Sequence, residues 1–393
     1  MAKKSLAVLD FGTSKVLCII AEENAYKRIS VVGPGMAQYD GYMDGHWNVP
    51  EQVDDAIAGA IRVAEEKSET KVREVYVGVP GEFSRVYVME ASVTLQGADP
   101  RVRPEDVERL QREATRKLEQ PSGVIIHRGP AWFRVDDGSK TIEPVDRKGS
   151  SLEGMIGFVI ADQFFTNDIT KRLNRLGITV KGFFSSSVGQ ILQCIPYEER
   201  DRTCVMVDIG YYSTEITAAE GDTAIWQKIL PVGGFNIAAD LVYGLKLDLD
   251  VCEKIKRSFT LRSMSDTPEI QIPGKDGKME QLDGELVKEI ITSRIDEILE
   301  NIDDAIDNSG VQLSKWSNVY VTGGGILPID GAKIYVGSKM RHNMREAPAK
   351  LLKMKPSQIF TSGSGLVEMI FNILEQQEQS VSFLDKIKNI FKK

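Results

Sequence analysis

Three short glycine turns carry the residues best able to do chemistry. In "LDFGTSKV" and "VDIGYYST" an aspartate closes an apolar run and a glycine follows two positions later, giving Asp10 with Gly12 and Asp208 with Gly210. A third turn, "VTGGGIL", sets Gly323, Gly324 and Gly325 after another apolar run. Where a strand ends in a tight turn, small residues let backbone N–H groups converge into an anion nest, and the hydroxyls of Thr13, Ser14, Ser213 and Thr214 add donors. Such a nest suits phosphate oxygens. Carboxylates cannot touch phosphate directly, but Asp10 and Asp208 can hold a magnesium ion through water, because magnesium keeps several waters and takes one or two carboxylates. At the third turn the lack of side chains lets a flat base or a phosphate approach the backbone. Tyr211 and Tyr212 are the anomaly: glycine would allow close approach and unusual φ there, and tyrosine is expected to restrict both.

The elements that must position these turns follow from apolar periodicity. "SLAVLDFGTSKVLCIIAEE" reads as a strand, a turn at Gly12 to Ser14 and a strand over Val16 to Ile20, and "VPEQVDDAIAGAIRVAEEKSE" as an amphipathic helix through Val53, Ile57, Ile61 and Ala64. "VREVYVGVPG" adds a buried strand, so the chain opens in β-β-helix-β order. Between about 84 and 160, strand-like runs surround one charged helix from Pro104 to about Lys117, an inserted α+β module. A helix at Phe165 to Leu176, a strand at Thr179 to Phe184 and a short helix in "VGQILQCI" lead to a second half that restarts with a strand meander. Helices are expected at Phe235 to Tyr243, Asp250 to Ser258 and Gly284 to Asn308, a hairpin at Asp276-Gly277, and a strand, glycine turn and helix (Ala332 to Met340) after Trp316. Asp208 lies 198 positions after Asp10, half the chain length, as two similar lobes require.

At 393 residues the chain suits two lobes rather than one core. A net charge of −8 supplies no basic field for nucleic acid. Cys18, Cys194, Cys204 and Cys252 are scattered in apolar runs, which fits buried thiols in a reducing cytoplasm. The apolar run after Lys3 and Lys4 ends at Asp10, too short for a signal peptide or a membrane span.

The combination of turns, in this order and spacing, resembles the actin, sugar-kinase and heat-shock-chaperone superfamily, and more closely the FtsA family of actin-like bacterial division proteins. The likeness is carried by "LDFGTSKVLCIIAE", "VREVYVGVPGEFSRVY", "ILPVGGFNIAADLVYGLKLDLDVCEKIK", "IITSRIDEILENI", "VYVTGGGILPIDGAKIYVGSKM" and "FTSGSGLVEMI", and it covers essentially the whole chain. It implies an α/β, two-lobed actin-like ATPase fold of duplicated ribonuclease-H-like domains. Lobe I would comprise 1–83, 161–190 and 356–378 (IA), with the FtsA-type insertion IC at 84–160. Lobe II would comprise 191–245 with 305–355 (IIA) and a tip at 246–304 (IIB). The resemblance further implies ATP and Mg2+ as cofactors. Asp10, Gly12, Thr13, Ser14 and Lys15 would form the first phosphate loop, and Asp208, Gly210, Ser213 and Thr214 the second, with both aspartates facing the magnesium through water. Gly323, Gly324 and Gly325 would lie against the adenosine, Glu253 and Lys256 beside ribose and base, and Gly233 and Gly234 at a neighbouring turn. The departure is the second loop: the family's "DIGGGTTD" is here "DIGYYSTE", with Glu215 in place of its aspartate.

The C-terminal "SFLDKIKNIFKK" sets Phe383, Leu384, Ile387, Ile390 and Phe391 on one helical stripe, with Lys386, Lys388, Lys392 and Lys393 against a single Asp385. Aromatics on one face and lysines on the other suit a helix lying in an anionic membrane surface, with "EQQEQS" as a polar tether, over 379–393. By resemblance, the chain is expected to self-assemble, bind the C-terminal peptide of FtsZ at the tip of lobe II, tether FtsZ filaments to the inner face of the cytoplasmic membrane at the septum and help recruit other division proteins. Two alternatives stand beside this. One is an active ATPase or phosphotransferase, for which the crossover segment offers only Gln190 and serines to align water, so hydrolysis is expected to be slow or absent. The other is an actin-like adaptor of another membrane machine, such as pilus assembly.

Overall fold

The computed structural model describes residues 4–118, 122–262, 270–273, 279–348 and 360–390, with side chains to Gln377 in the last segment. The chain begins with β1 (Lys4–Phe11), β2 (Lys15–Glu23), β3 (Ile29–Gln38), the short pair β4 (Tyr42–Met43) and β5 (His46–Trp47), α1 (Pro50–Ser68) and β6 (Glu74–Val79). An insertion follows: β7 (Ser84–Thr94), α2 (Pro104–Lys117), β8 (Val124–Val135) and β9 (Ser151–Ala161). Then come α3 (Gln163–Arg175), β10 (Thr179–Ser185) and α4 (Ser186–Cys194). The second half holds β11 (Cys204–Ile209), β12 (Thr214–Glu220), β13 (Thr223–Leu230), α5 (Gly234–Leu245), α6 (Leu249–Ser258), β14 (Ile270–Pro273), β15 (Met279–Leu282), α7 (Gly284–Asp307), β16 (Val319–Thr322), α8 (Ala332–Lys339), β17 (Met344–Glu346) and α9 (Thr361–Ile390).

Among the described residues, two sheets share one topology. The first has the order β10-β6-β1-β2-β3 and the second, read in the same direction, β17-β16-β11-β12-β13. In each, an antiparallel hairpin (β1–β2, β11–β12) is extended by a parallel strand (β6, β16) on the other side of its first strand. The duplication suggested by the 198-residue offset is therefore structural. Both aspartates end the central strand of their sheet, Asp10 paired with Leu17 and Asp208 with Glu215. Strand β1 is buried continuously from Leu6 to Phe11 rather than in alternation, because both sheet faces are covered. One face packs on α1 and α3 through Val53, Ile57, Phe165 and Ile169, the other on α4 and α9 through Val188, Leu366 and Ile370. The insertion is a separate three-stranded sheet, β7-β9-β8, covered by α2 through Leu110 and Ala114.

Three expectations need correction. The opening order contains an additional strand, β3, whose Gly33-Pro34-Gly35 reads as a turn; it survives because β3 is an edge strand, where a missing N–H costs no ladder bond. Strand β17 was not expected. The "EQQEQS" stretch, expected as a short polar linker ahead of a separate helix, is continuous with it, the α9 backbone being helical from Thr361 to Ile390. Glutamate and glutamine are good helix formers, and no glycine or proline follows Gly365 in the helix. Lys27 at the β2–β3 turn pairs with Glu375 at 3.2 Å, holding α9 against the first sheet. The side chains of Phe383, Leu384, Lys386, Ile387, Lys388 and Ile390, all of Phe391, Lys392 and Lys393, and the Asp276-Gly277 turn lie outside the described residues.

Candidate functional site

The two Asp-x-Gly turns face each other across a cavity of about 890 Å3. In the first turn Gly12 N–H donates to Lys15 carbonyl at 2.9 Å; in the second Gly210 N–H donates to Ser213 carbonyl, also at 2.9 Å. The backbone path is thus conserved between the lobes despite the tyrosines. Neither Tyr211 nor Tyr212 adopts a positive φ, so this turn makes no demand at those positions that only glycine meets. The expected conformational obstacle does not arise.

The first loop is braced from behind. Tyr39 hydroxyl donates to Gly12 carbonyl at 2.9 Å and Tyr42 hydroxyl to Phe11 carbonyl at 3.0 Å. Ser14 and Lys15 line the cavity. Burial pushes the Lys15 ammonium below its ordinary pKa, against the pull of Asp208 and Asp10. Burial likewise raises both carboxyls, against hydrogen bonds from Ser186 to Asp10 at 2.9 Å and from Gln190 to Asp208 at 2.6 Å. Two buried carboxylates sharing one lysine leave a deficit of positive charge, and all-oxygen donors of this kind suit a hard divalent cation.

The second loop is engaged differently. Tyr211 and Tyr212 N–H groups both donate to Thr13 Oγ1, at 3.2 and 3.1 Å. Ser213 hydroxyl donates to Glu82 at 3.4 Å, and Thr214 hydroxyl, fully buried, donates to Val232 carbonyl at 2.8 Å. The two tyrosine rings gather with Phe235 at centroid distances of 4.8, 5.6 and 5.1 Å. Burial first, and the neighbouring Glu253 carboxylate second, raise the Tyr211 phenol above its ordinary pKa, and Lys256 Nζ stands 5.3 Å from the Tyr211 ring centroid. Lys256 itself donates to Glu253 at 2.6 Å and to Gly234 carbonyl at 2.7 Å.

The third turn closes the cavity beside Asp208. Gly323 has φ +104, and a Cβ there would lie 2.3 Å from Ile209 carbonyl oxygen and 2.5 Å from Asp208 Oδ1, so a side chain is excluded both by conformation and by space. Of the residues singled out in the sequence, Asp10, Gly12, Thr13, Ser14, Lys15, Gln190, Asp208, Gly210, Ser213, Glu253, Lys256 and Gly323 to Gly325 all line the cavity. Thr214, Gly233 and Gly234 do not, and form the wall behind it: Gly234 N–H donates to Gly210 carbonyl at 3.0 Å. The hydroxyls of Ser213 and Thr214, expected as phosphate donors, are bonded to the protein instead.

Comparison with known proteins agrees with this arrangement. A family model described as "Cell division protein FtsA" matches residues 205–378, and one described as "SHS2 domain inserted in FTSA" matches residues 81–160. The chain belongs to the FtsA family. It is 26% identical over 333 residues to cell division protein FtsA of Borreliella burgdorferi, covering 83% of this chain and 80% of that one. It is 22% identical over 381 residues to FtsA of Bacillus subtilis, covering 95% and 85%. Among solved structures, a PilM–PilN type IV pilus biogenesis complex has TM-score 0.59 at 17% identity, covering 92% of this chain and 97% of that one. MreB 5 of Spiroplasma citri bound to AMPPNP has TM-score 0.55 at 12% identity, covering 96% and 99%. These likenesses place the chain in the actin-like fold.

Within this FtsA-family cleft, several residues escaped sequence reasoning. Glu215, noted only as a departure from the family aspartate, is a buried hub: it accepts from Gln227 at 2.7 Å, Thr217 at 3.1 Å, Gly81 N–H at 3.2 Å and Ser187 hydroxyl. It ties lobe II to the root of the insertion and to α4, and burial raises its pKa. Ser186 and Ser187 open α4, and the helix reaches Asp10, Glu215 and, through Gln190, Asp208. The only sequence signal was the serine run ahead of an apolar helix. Tyr39 and Tyr42 were missed with β3, which carries the chain back to the first loop.

Proposed function

We propose that this chain is an ATP-binding, self-assembling division protein that tethers FtsZ filaments to the inner face of the cytoplasmic membrane. The observation that carries the nucleotide part is the cavity flanked by two equivalent turns, with paired buried carboxylates and Lys15 between them. In this reading Gly12, Ser14 and Lys15 hold phosphate, Glu253, Lys256 and Gly323 to Gly325 face the adenosine, and Asp10 and Asp208 hold Mg2+ through water. The cation supplies the positive charge that lets both buried carboxyls ionise. Gln190, already bonded to Asp208, is a poor aligner of water, so turnover is slow or absent.

Membrane attachment is supported by the sequence of the last residues. The apolar stripe Phe383, Leu384, Ile387, Ile390, Phe391 and the four lysines suit an anionic bilayer surface, and no described helix is long and apolar enough to cross one. One short helix binds weakly, whereas many on a polymer bind firmly, which gives self-assembly its purpose. The FtsZ peptide, acidic in this reading, would dock on the tip of lobe II, about residues 245 to 300. Flotation of the full chain with anionic liposomes, beside a chain ending at 380, is expected to show binding only by the former. Co-sedimentation with FtsZ tests the partner, and equal flotation or no FtsZ dependence would overturn the respective part.

A further inference from the structure

This inference rests on the reading of the cleft as a nucleotide site. We propose that Thr13 and the Tyr211–Tyr212 pair make the cleft insensitive to the terminal phosphate, so that it takes adenosine di- and triphosphates alike. A clamp of two opposed turns senses an additional phosphate only if both turns offer donors. Here Tyr211 and Tyr212 N–H are committed to Thr13 Oγ1, Ser213 hydroxyl to Glu82 and Thr214 hydroxyl to Val232 carbonyl.

Thr13 Oγ1 is itself the oxygen in the nest. A single hydroxyl accepts both amides, so a phosphate oxygen must break two bonds at once to replace it. The rings add a further hold: Tyr211, Tyr212 and Phe235 pack together. Moving the loop toward a ligand would unpack this cluster. The first loop is braced through its carbonyls, by Tyr39 at Gly12 and Tyr42 at Phe11. Among the described residues no hydrogen bond commits the Ser14 hydroxyl or the Lys15 ammonium, which line the cavity. The glycines expected in a permissive nest are replaced by residues that fasten the loop in place.

Calorimetric titration of the full-length chain with MgATP and MgADP reads the proposal directly. Wild type is expected to bind both with Kd values within about threefold of each other, whereas Tyr211→Gly with Tyr212→Gly, or Thr13→Val, is expected to favour ATP by about tenfold or more. Wild type preferring ATP by about tenfold would overturn it. If wild type binds neither nucleotide, the nucleotide reading fails and this proposal with it, whereas wild type binding both but preferring ATP overturns this proposal alone. A thermal melt identifies any variant that has not folded, in which case the remaining one serves.

Discussion

The turn after β1 and the turn after β11 have the same hydrogen bond, the same aspartate and the same position in their sheets, yet they face the cleft with different chemistry. The first presents Ser14 and Lys15 to the cavity. At the equivalent positions, 198 residues later, the second carries Tyr212 and Ser213, and its donors are bonded to the other lobe. Leu17 and Glu215 form another such pair, an apolar core position in one lobe and a buried carboxylate in the other. A duplicated backbone can therefore keep its geometry while one copy binds and the other closes the molecule.

The largest contrast expected between the lobes lies in the glycines beside the two aspartates. Gly323→Ala forces a Cβ onto a backbone carbonyl at positive φ and is expected to cost on the order of 3 kcal/mol in chemical denaturation. At Gly78, next to Asp10, an added Cβ would meet Leu366 Cδ1 at 2.4 Å and Ser186 Oγ at 2.6 Å, side-chain atoms that can move, so Gly78→Ala should cost on the order of 1 kcal/mol. Equal costs would deny the difference in backing.

In ligand binding, Lys15→Ala is expected to weaken MgATP by about 2–3 kcal/mol, near a hundredfold, because a charged donor facing phosphate is lost. Ser213→Ala, its counterpart, should change the Kd by less than about twofold. A smaller contrast concerns the wall: Thr214→Val leaves Val232 carbonyl without its donor and is expected to cost about 1–2 kcal/mol of stability, with nucleotide affinity unmoved.

The subtlest test is pH. Glu215 has a raised pKa in the fold through burial, so the folded chain takes up this proton before the unfolded chain does. Stability should therefore rise as pH falls from the folded value toward the ordinary glutamate value of 4.5, and be lost again as pH increases. The isosteric Glu215→Gln should lack this component of the pH dependence, measured as the difference between paired denaturation curves.

Much of this arrangement was readable beforehand, for reasons that are local. Asp10, Gly12, Asp208 and Gly210 end apolar runs in both halves, and a strand followed by a tight turn is encoded within a few residues. What was not readable depends on closure of the chain over long separations. Thr13 meets Tyr211 and Tyr212 only because the lobes fold onto each other, and Glu215 finds Gly81 and Ser187 the same way. Strand β3 was hidden by Gly33-Pro34-Gly35, whose local turn signal is overridden at the sheet edge. The stretch beyond Leu374 was read as a tether from its polarity, although glutamine and glutamate favour helix.

The most direct measurement is a crystal structure of the full chain with magnesium and a non-hydrolysable ATP analogue. The phosphates are expected on the Ser14 and Lys15 side, with Thr13 Oγ1 still accepting from Tyr211 and Tyr212 N–H. A phosphate oxygen in place of the Thr13 hydroxyl, with the Tyr211–Tyr212–Phe235 cluster opened, would contradict the asymmetry between the two turns.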